Sequence, residues 1–137
     1  MKKSPTPRGG GPIVLLVASP AEERALLGAW MEEEGLDVMT CPGPRGPGPC
    51  VGMRGHCVLA EAADAVVVDM HLADDELTEG FPAWQLLDVY LGLGVGIVAL
   101  VEPGDVHLVE GRGAVVSVPR PPDRAALLGA VGAVLAG

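Results

Sequence analysis

Aromatic side chains are scarce in this 137-residue chain: two Trp, one Tyr and one Phe amount to 3%. A platform for stacking single-stranded nucleic acid needs more of them. Basic residues are few as well. Nine Lys and Arg stand against 18 Asp and Glu, a formal charge of −9. A surface of that sign disfavours phosphate backbones and anionic lipid. No apolar run approaches the ~20 residues that a membrane helix needs. The first run, Ile13 to Ala18, is also shorter than the apolar core of a secretory signal, and GGGP interrupts its approach. These absences leave protein, metal or small-molecule partners, with no nucleic acid and no membrane, and point to the cytoplasm.

Enzyme signatures are missing too. No G-x-G-x-x-G follows the first apolar run, and neither a G-x-x-x-x-G-K-[ST] loop nor a G-x-S-x-G elbow occurs. Ser19 before a helix start is a weak anion-binding signal, and a capping Ser is far commoner. No enzyme is expected.

What the sequence does have is alternation. Residues 1–11 are basic and rich in Gly and Pro, and are expected to form a disordered tail. Residues 12–137 are expected to form one domain. PIVLLVA (12–18) reads as a strand covered on both faces. SPAEERALLGAWMEEEG follows as a helix, with Ser19 as N-cap, Pro20 at the first position and Gly35 as the stop. Its apolar face is Leu26, Leu27, Trp30 and Met31, and Glu22, Glu23, Glu33 and Glu34 are expected to point largely to solvent. LDVMT (36–40), DAVVVDM (64–70), VGIVALV (95–101) and AVVSV (114–118) are four further strands. Between them lie a short helical piece at 58–63, a helix over FPAWQLLDVYLGLG and the segment EPGDVHLVEGRG, which has room for about one turn. PRPPDRAALLGAVGAVLAG closes the chain as a helix. Apolar strands joined by crossovers predict a parallel sheet between helical layers. Chemistry is then expected beyond the carboxyl ends of the strands: Val17–Ser19, Asp69–Leu72, Val101–Glu102 and Pro119–Pro121.

Element order, spacing and three local cues resemble a response-regulator receiver domain. VVVDMHL is similar to the phosphoacceptor strand, with Asp69 at the phosphoacceptor position. VGIVALVE is similar to the fourth strand, and SVPRPPDRAALL to the fifth strand and last helix. The resemblance implies a flavodoxin-like α/β fold: five parallel strands in the order 2-1-3-4-5, helices on both faces, and second and fourth helices shortened or replaced by loops. It also exposes departures. Where receivers carry a cation-binding acid pair, this chain has Ala18 and Ser19; Val101 stands for the Thr or Ser switch, and Arg120–Pro121 for the Lys–Pro signature. Phosphoryl transfer needs a cation to neutralise developing charge, and Mg²⁺ is held chiefly by carboxylates. One Asp is a poor site. The expectation is a pseudo-receiver without the standard aspartyl-phosphate switch, acting on a protein partner or as a homodimer. Asp69 has a structural reading, pairing with Arg120 or capping a turn, beside residual phosphorylation or metal use. Glu22, Glu23, Asp74 and Asp75 are candidates for a displaced cation site, although solvated acids are commoner. His71 and His107 read as surface loop residues.

The segment 41–57, CPGPRGPGPCVGMRGHC, holds all three cysteines. It admits three readings. Cys41, Cys50, Cys57 and His56 are a possible ligand set for zinc or another thiolate-bound metal, although no C-x₂₋₄-C pair occurs. A disulfide would act as a redox switch in a reducing compartment. Cys41 and Cys57 are also candidates for small buried apolar residues. A metal- or redox-sensing domain is therefore the alternative function.

Overall fold

A parallel strand covered on both faces must be apolar along its whole length, and the central strands meet that demand. The computed structural model describes residues 11–18, 21–41, 58–70, 83–110 and 115–136. The strands are β1 (Ile13–Val17), β2 (Asp37–Cys41), β3 (Ala65–Asp69), β4 (Gly96–Val101) and β5 (Val115–Pro119). All pair in parallel, in the order β2-β1-β3-β4-β5. The helices are α1 (Ala21–Glu33), α2 (Val58–Ala62), α3 (Ala83–Leu93), α4 (Val106–Glu110) and α5 (Arg124–Ala136). A 3-10 turn at Pro103–Asp105 leads into α4. The fold class, strand order and short second and fourth helices are those expected.

Side chains alternate across the sheet with period two. Val14, Leu16, Ala18, Ala65, Val67, Val98, Leu100 and Val118 form one core half with Leu27 and Met31 of α1 and Leu127 and Val131 of α5. Leu15, Val17, Val66, Val68, Ile97, Ala99 and Val101 form the other, with Ala60 of α2, Leu87 and Tyr90 of α3 and Val109 of α4. Helices thus cover both faces. Every residue of β3 is buried, Asp69 included.

Local signals set the ends of the elements. Gly35 takes φ +89°, a conformation that suits glycine. Its N–H donates to the Glu32 carbonyl at 3.0 Å, and that of Leu36 to Met31 at 3.2 Å. This Schellman arrangement closes α1 and turns the chain into β2. Asp123 caps α5 by accepting from the Ala126 N–H at 2.7 Å. At the opposite end of the sheet from Asp69, the Asp64 carboxylate accepts from the Ile13 N–H at 2.8 Å, tying the start of β1 to β3.

Two side-chain expectations are corrected. Leu26 is 51% exposed rather than on the core face; the inward row of α1 is Leu27, Gly28 and Met31. Gly28 faces Leu16 and Val38 across the seam between α1 and the sheet. His107 sits exposed on α4 rather than in a loop. The tail expected at 1–11 lies, except for Gly11, outside the described residues, as do Ser19, Pro20, Cys50, His56, Cys57, His71, Asp74 and Asp75.

Leu27→Ala is expected to cost about 2–5 kcal/mol of stability, because it opens a hole against the sheet. Leu26→Ala should change stability by no more than about 0.5 kcal/mol. Equilibrium urea unfolding of the two variants measures both, and the reverse order would contradict the orientation of α1.

Candidate functional site

The period-two rule selects which side chains meet past the strand ends. Asp69 follows the parity of Ala65 and Val67, Glu102 that of Val98 and Leu100, and Arg120 that of Val118. All three therefore belong to the face covered by α1 and α5. They converge there. The Arg120 Nε lies 3.2 Å from Asp69 Oδ1. Its Nη1 donates to Glu102 Oε2 at 3.0 Å. Its Nη2 lies 3.5 Å from Glu23 Oε1, which α1 brings in from above. One guanidinium thus faces three carboxylates.

Solvent access grades the three contacts. Asp69 has no exposed surface and Arg120 only 17%, whereas Glu102 is half exposed. A carboxylate withdrawn from water requires a charged or hydrogen-bonding partner. The Asp69–Arg120 contact is accordingly the less screened ion pair, held by charge alone because Arg120 Nε is not aligned for a hydrogen bond. Glu102 contributes the hydrogen-bonded but screened attraction of a surface pair. The backbone fixes the arginine from below: its N–H donates to the Val101 carbonyl at 2.8 Å, and the Arg120–Pro121 peptide is cis. A second arginine works on the neighbouring strand end. Arg24 of α1 donates from Nη1 to the Ala18 carbonyl at 2.9 Å.

The structure brings together Asp69, Arg120 and, one register step beyond the Val17–Val68 pair, Ala18. It does not bring Val101 into this cluster. Val101 has the opposite parity and packs in the core half beneath α3 and α4. From the end of β4 it is Glu102 that reaches Arg120. Glu23, expected to point to solvent, is also in the cluster. Glu102, given no role from the sequence, was within reach of it, since parity from β4 selects Glu102 over Val101; Glu23 is among the acids named for a displaced cation site. Of the cysteine set, only Cys41 is described. It ends β2, is half-buried against the core, and its carbonyl accepts from the Ala18 N–H at 3.1 Å. Among the described residues, no three His, Cys, Asp or Glu side chains are arranged to hold a metal ion.

Similar solved structures share the architecture. A receiver domain protein from Clostridium thermocellum superposes with a TM-score of 0.71 over 91% of this chain and 94% of its own, at 16% identity. The fold is that of a response-regulator receiver domain. A receiver protein from Sinorhizobium medicae gives a TM-score of 0.69 over 93% and 97% of the two chains, at 16% identity. The receiver domain of a sensor histidine kinase from Pseudomonas aeruginosa, with a magnesium ion coordinated in its active site cleft, gives 0.64 over 93% and 100%, at 19% identity. No protein-family model and no curated protein matches the sequence. In the receiver fold, the Asp69 cluster lies at the carboxyl ends of the strands, the edge of an open α/β sheet where ligands bind.

Arg120→Ala is expected to destabilise the protein by about 3 kcal/mol, since it leaves the Asp69 charge buried without its guanidinium. Glu102→Ala should cost less than about 1 kcal/mol. Raising the salt to about 1 M should erase the Glu102 effect and leave most of the Arg120 effect. Urea unfolding at low and high salt separates the two.

Proposed function

We propose that this chain is a cytoplasmic pseudo-receiver: a signalling or regulatory module that works by protein–protein contact and lacks the Mg²⁺-dependent aspartyl-phosphate switch. One observation carries the reading. The carboxylate at the phosphoacceptor position is fully buried and faces an arginine at 3.2 Å. Ala18, the residue after β1 and one register step beyond the Val17–Val68 pair, offers no side-chain ligand. A phosphoryl donor needs the attacking oxygen accessible and a cation beside it. Here the oxygen is covered and the cation is part of the chain.

Magnesium fits these residues poorly. It demands near-octahedral oxygen coordination and is usually held by one or two carboxylates with water and phosphate. The carboxylates present are already turned towards Arg120. The switch-equivalent Val101 is apolar and packed away from the cluster, and it has no group to hydrogen-bond a phosphoryl oxygen. No enzymatic step is assigned to the site.

Contact with a partner, or with a second copy, is assigned to the α4–β5 side. On the face of β5 that α4 covers, Val115 and Ser117 stay half-buried. A half-covered apolar edge strand is a surface that association can complete.

Incubation with acetyl phosphate and Mg²⁺, followed by intact mass measurement, is expected to leave the protein unmodified. Stoichiometric addition of one phosphoryl group that vanishes in Asp69→Asn would overturn the reading.

A further inference from the structure

We infer that Arg120 is the resident cation of the strand-end site, a tethered guanidinium that occupies the space between the carboxylates and keeps divalent metal out. The inference rests on the reading of the site as one that works without magnesium, and it says how the chain achieves this. Three observations support it. The guanidinium engages carboxylates from three separate elements through three different nitrogens, at 3.2, 3.0 and 3.5 Å. It is 17% exposed, beside a carboxylate with no exposure, so its charge acts where water screens little. Arg24, the second arginine, donates to the Ala18 carbonyl. A backbone carbonyl at a strand end is itself a hard oxygen ligand of the kind divalent cations use. One oxygen of each of the three acids, Asp69 Oδ1, Glu102 Oε2 and Glu23 Oε1, and the Ala18 carbonyl therefore face guanidinium groups.

Charge shows what removal of Arg120 should do. Three carboxylates and no guanidinium would leave strong mutual repulsion around a buried group. A divalent cation relieves it better than sodium does. Magnesium keeps several of its waters, and a hydrated ion is closer in size to a guanidinium than a bare one is. The acids are not arranged to hold a metal ion while Arg120 lies among them, and a hydrated divalent ion is the cation expected to replace the guanidinium once it is removed.

The test is thermal unfolding of wild type, Arg120→Ala and Arg120→Gln, each with and without millimolar Mg²⁺ or Mn²⁺. Wild type should show no metal-dependent shift. Both variants should melt lower than wild type without metal, and metal at about ten times its Kd should raise their midpoints by roughly 4–6 °C. Adding Asp69→Asn to Arg120→Gln should abolish that rise. A variant that folds only when metal is present also supports the inference. It is overturned if wild type responds as strongly as the variants, if neither folded variant responds, or if both variants stay unfolded at every metal concentration. The acetyl phosphate experiment is scored separately on wild type. Metal-insensitive variants with unlabelled wild type would remove the tethered cation and leave the pseudo-receiver reading standing; labelled wild type would remove that reading instead.

Discussion

A carboxylate with no exposed surface sits at the end of the central strand, and the arrangement of the strand ends follows from giving it a partner. Asp69 is the sole charged residue among the buried positions described. Leaving it without a counter-charge in that setting would cost several kcal/mol. Arg120 meets the need, and its own position is over-determined: a backbone hydrogen bond to Val101 below, and Glu102 and Glu23 to either side. Through this one side chain β3, β5, the end of β4 and the start of α1 are joined. The burial that withdraws the Asp69 carboxylate from water also leaves its attraction to Arg120 little screened.

Much of the fold could be read before the structure because its signals are local and redundant. β1 and β4 are apolar throughout, β3 is apolar up to its final Asp69, and Gly35 marks a helix end. The short fourth helix was equally readable, since Pro103, Gly104, Gly111 and Gly113 bracket only a few residues with helical potential. Helix orientation was less accessible. The segment ALLGAW presents two adjacent leucines, and 100° of rotation decides which is inside. Packing against the sheet decides it: Leu27 is buried and Leu26 is exposed.

The site was legible in part, and the division is instructive. Asp69 and Arg120 were found by their places at strand ends. Glu102 was seen at a strand end and given no role, while Val101 was given the role because resemblance aligns positions along the chain. Resemblance does not by itself track which face a side chain takes. The alternation of the sheet does, and it sends Val101 into the core half under α3 and α4 while Glu102 joins Arg120. Glu23 is a candidate for a displaced cation site from the sequence, set against a sound general rule, that acids in a helix first turn are solvated. The rule fails when a cation lies across the gap, and that cation is ninety-seven residues further along the chain. Long-range charge pairing of this kind leaves no periodic trace.

The acidic composition takes on a specific meaning in this setting. With 18 acids against nine bases, most carboxylates must be left to water. Two of the arginines are nevertheless spent at one edge of the sheet, Arg120 among three acids and Arg24 on a strand-end carbonyl. Arginine suits the task better than lysine because its planar fork contacts several oxygens at once and its charge survives partial burial. A lysine ammonium would act as a single point and leave the outer acids less directed. An arginine following β5 therefore ties down the strand ends that a smaller cation would leave adjustable.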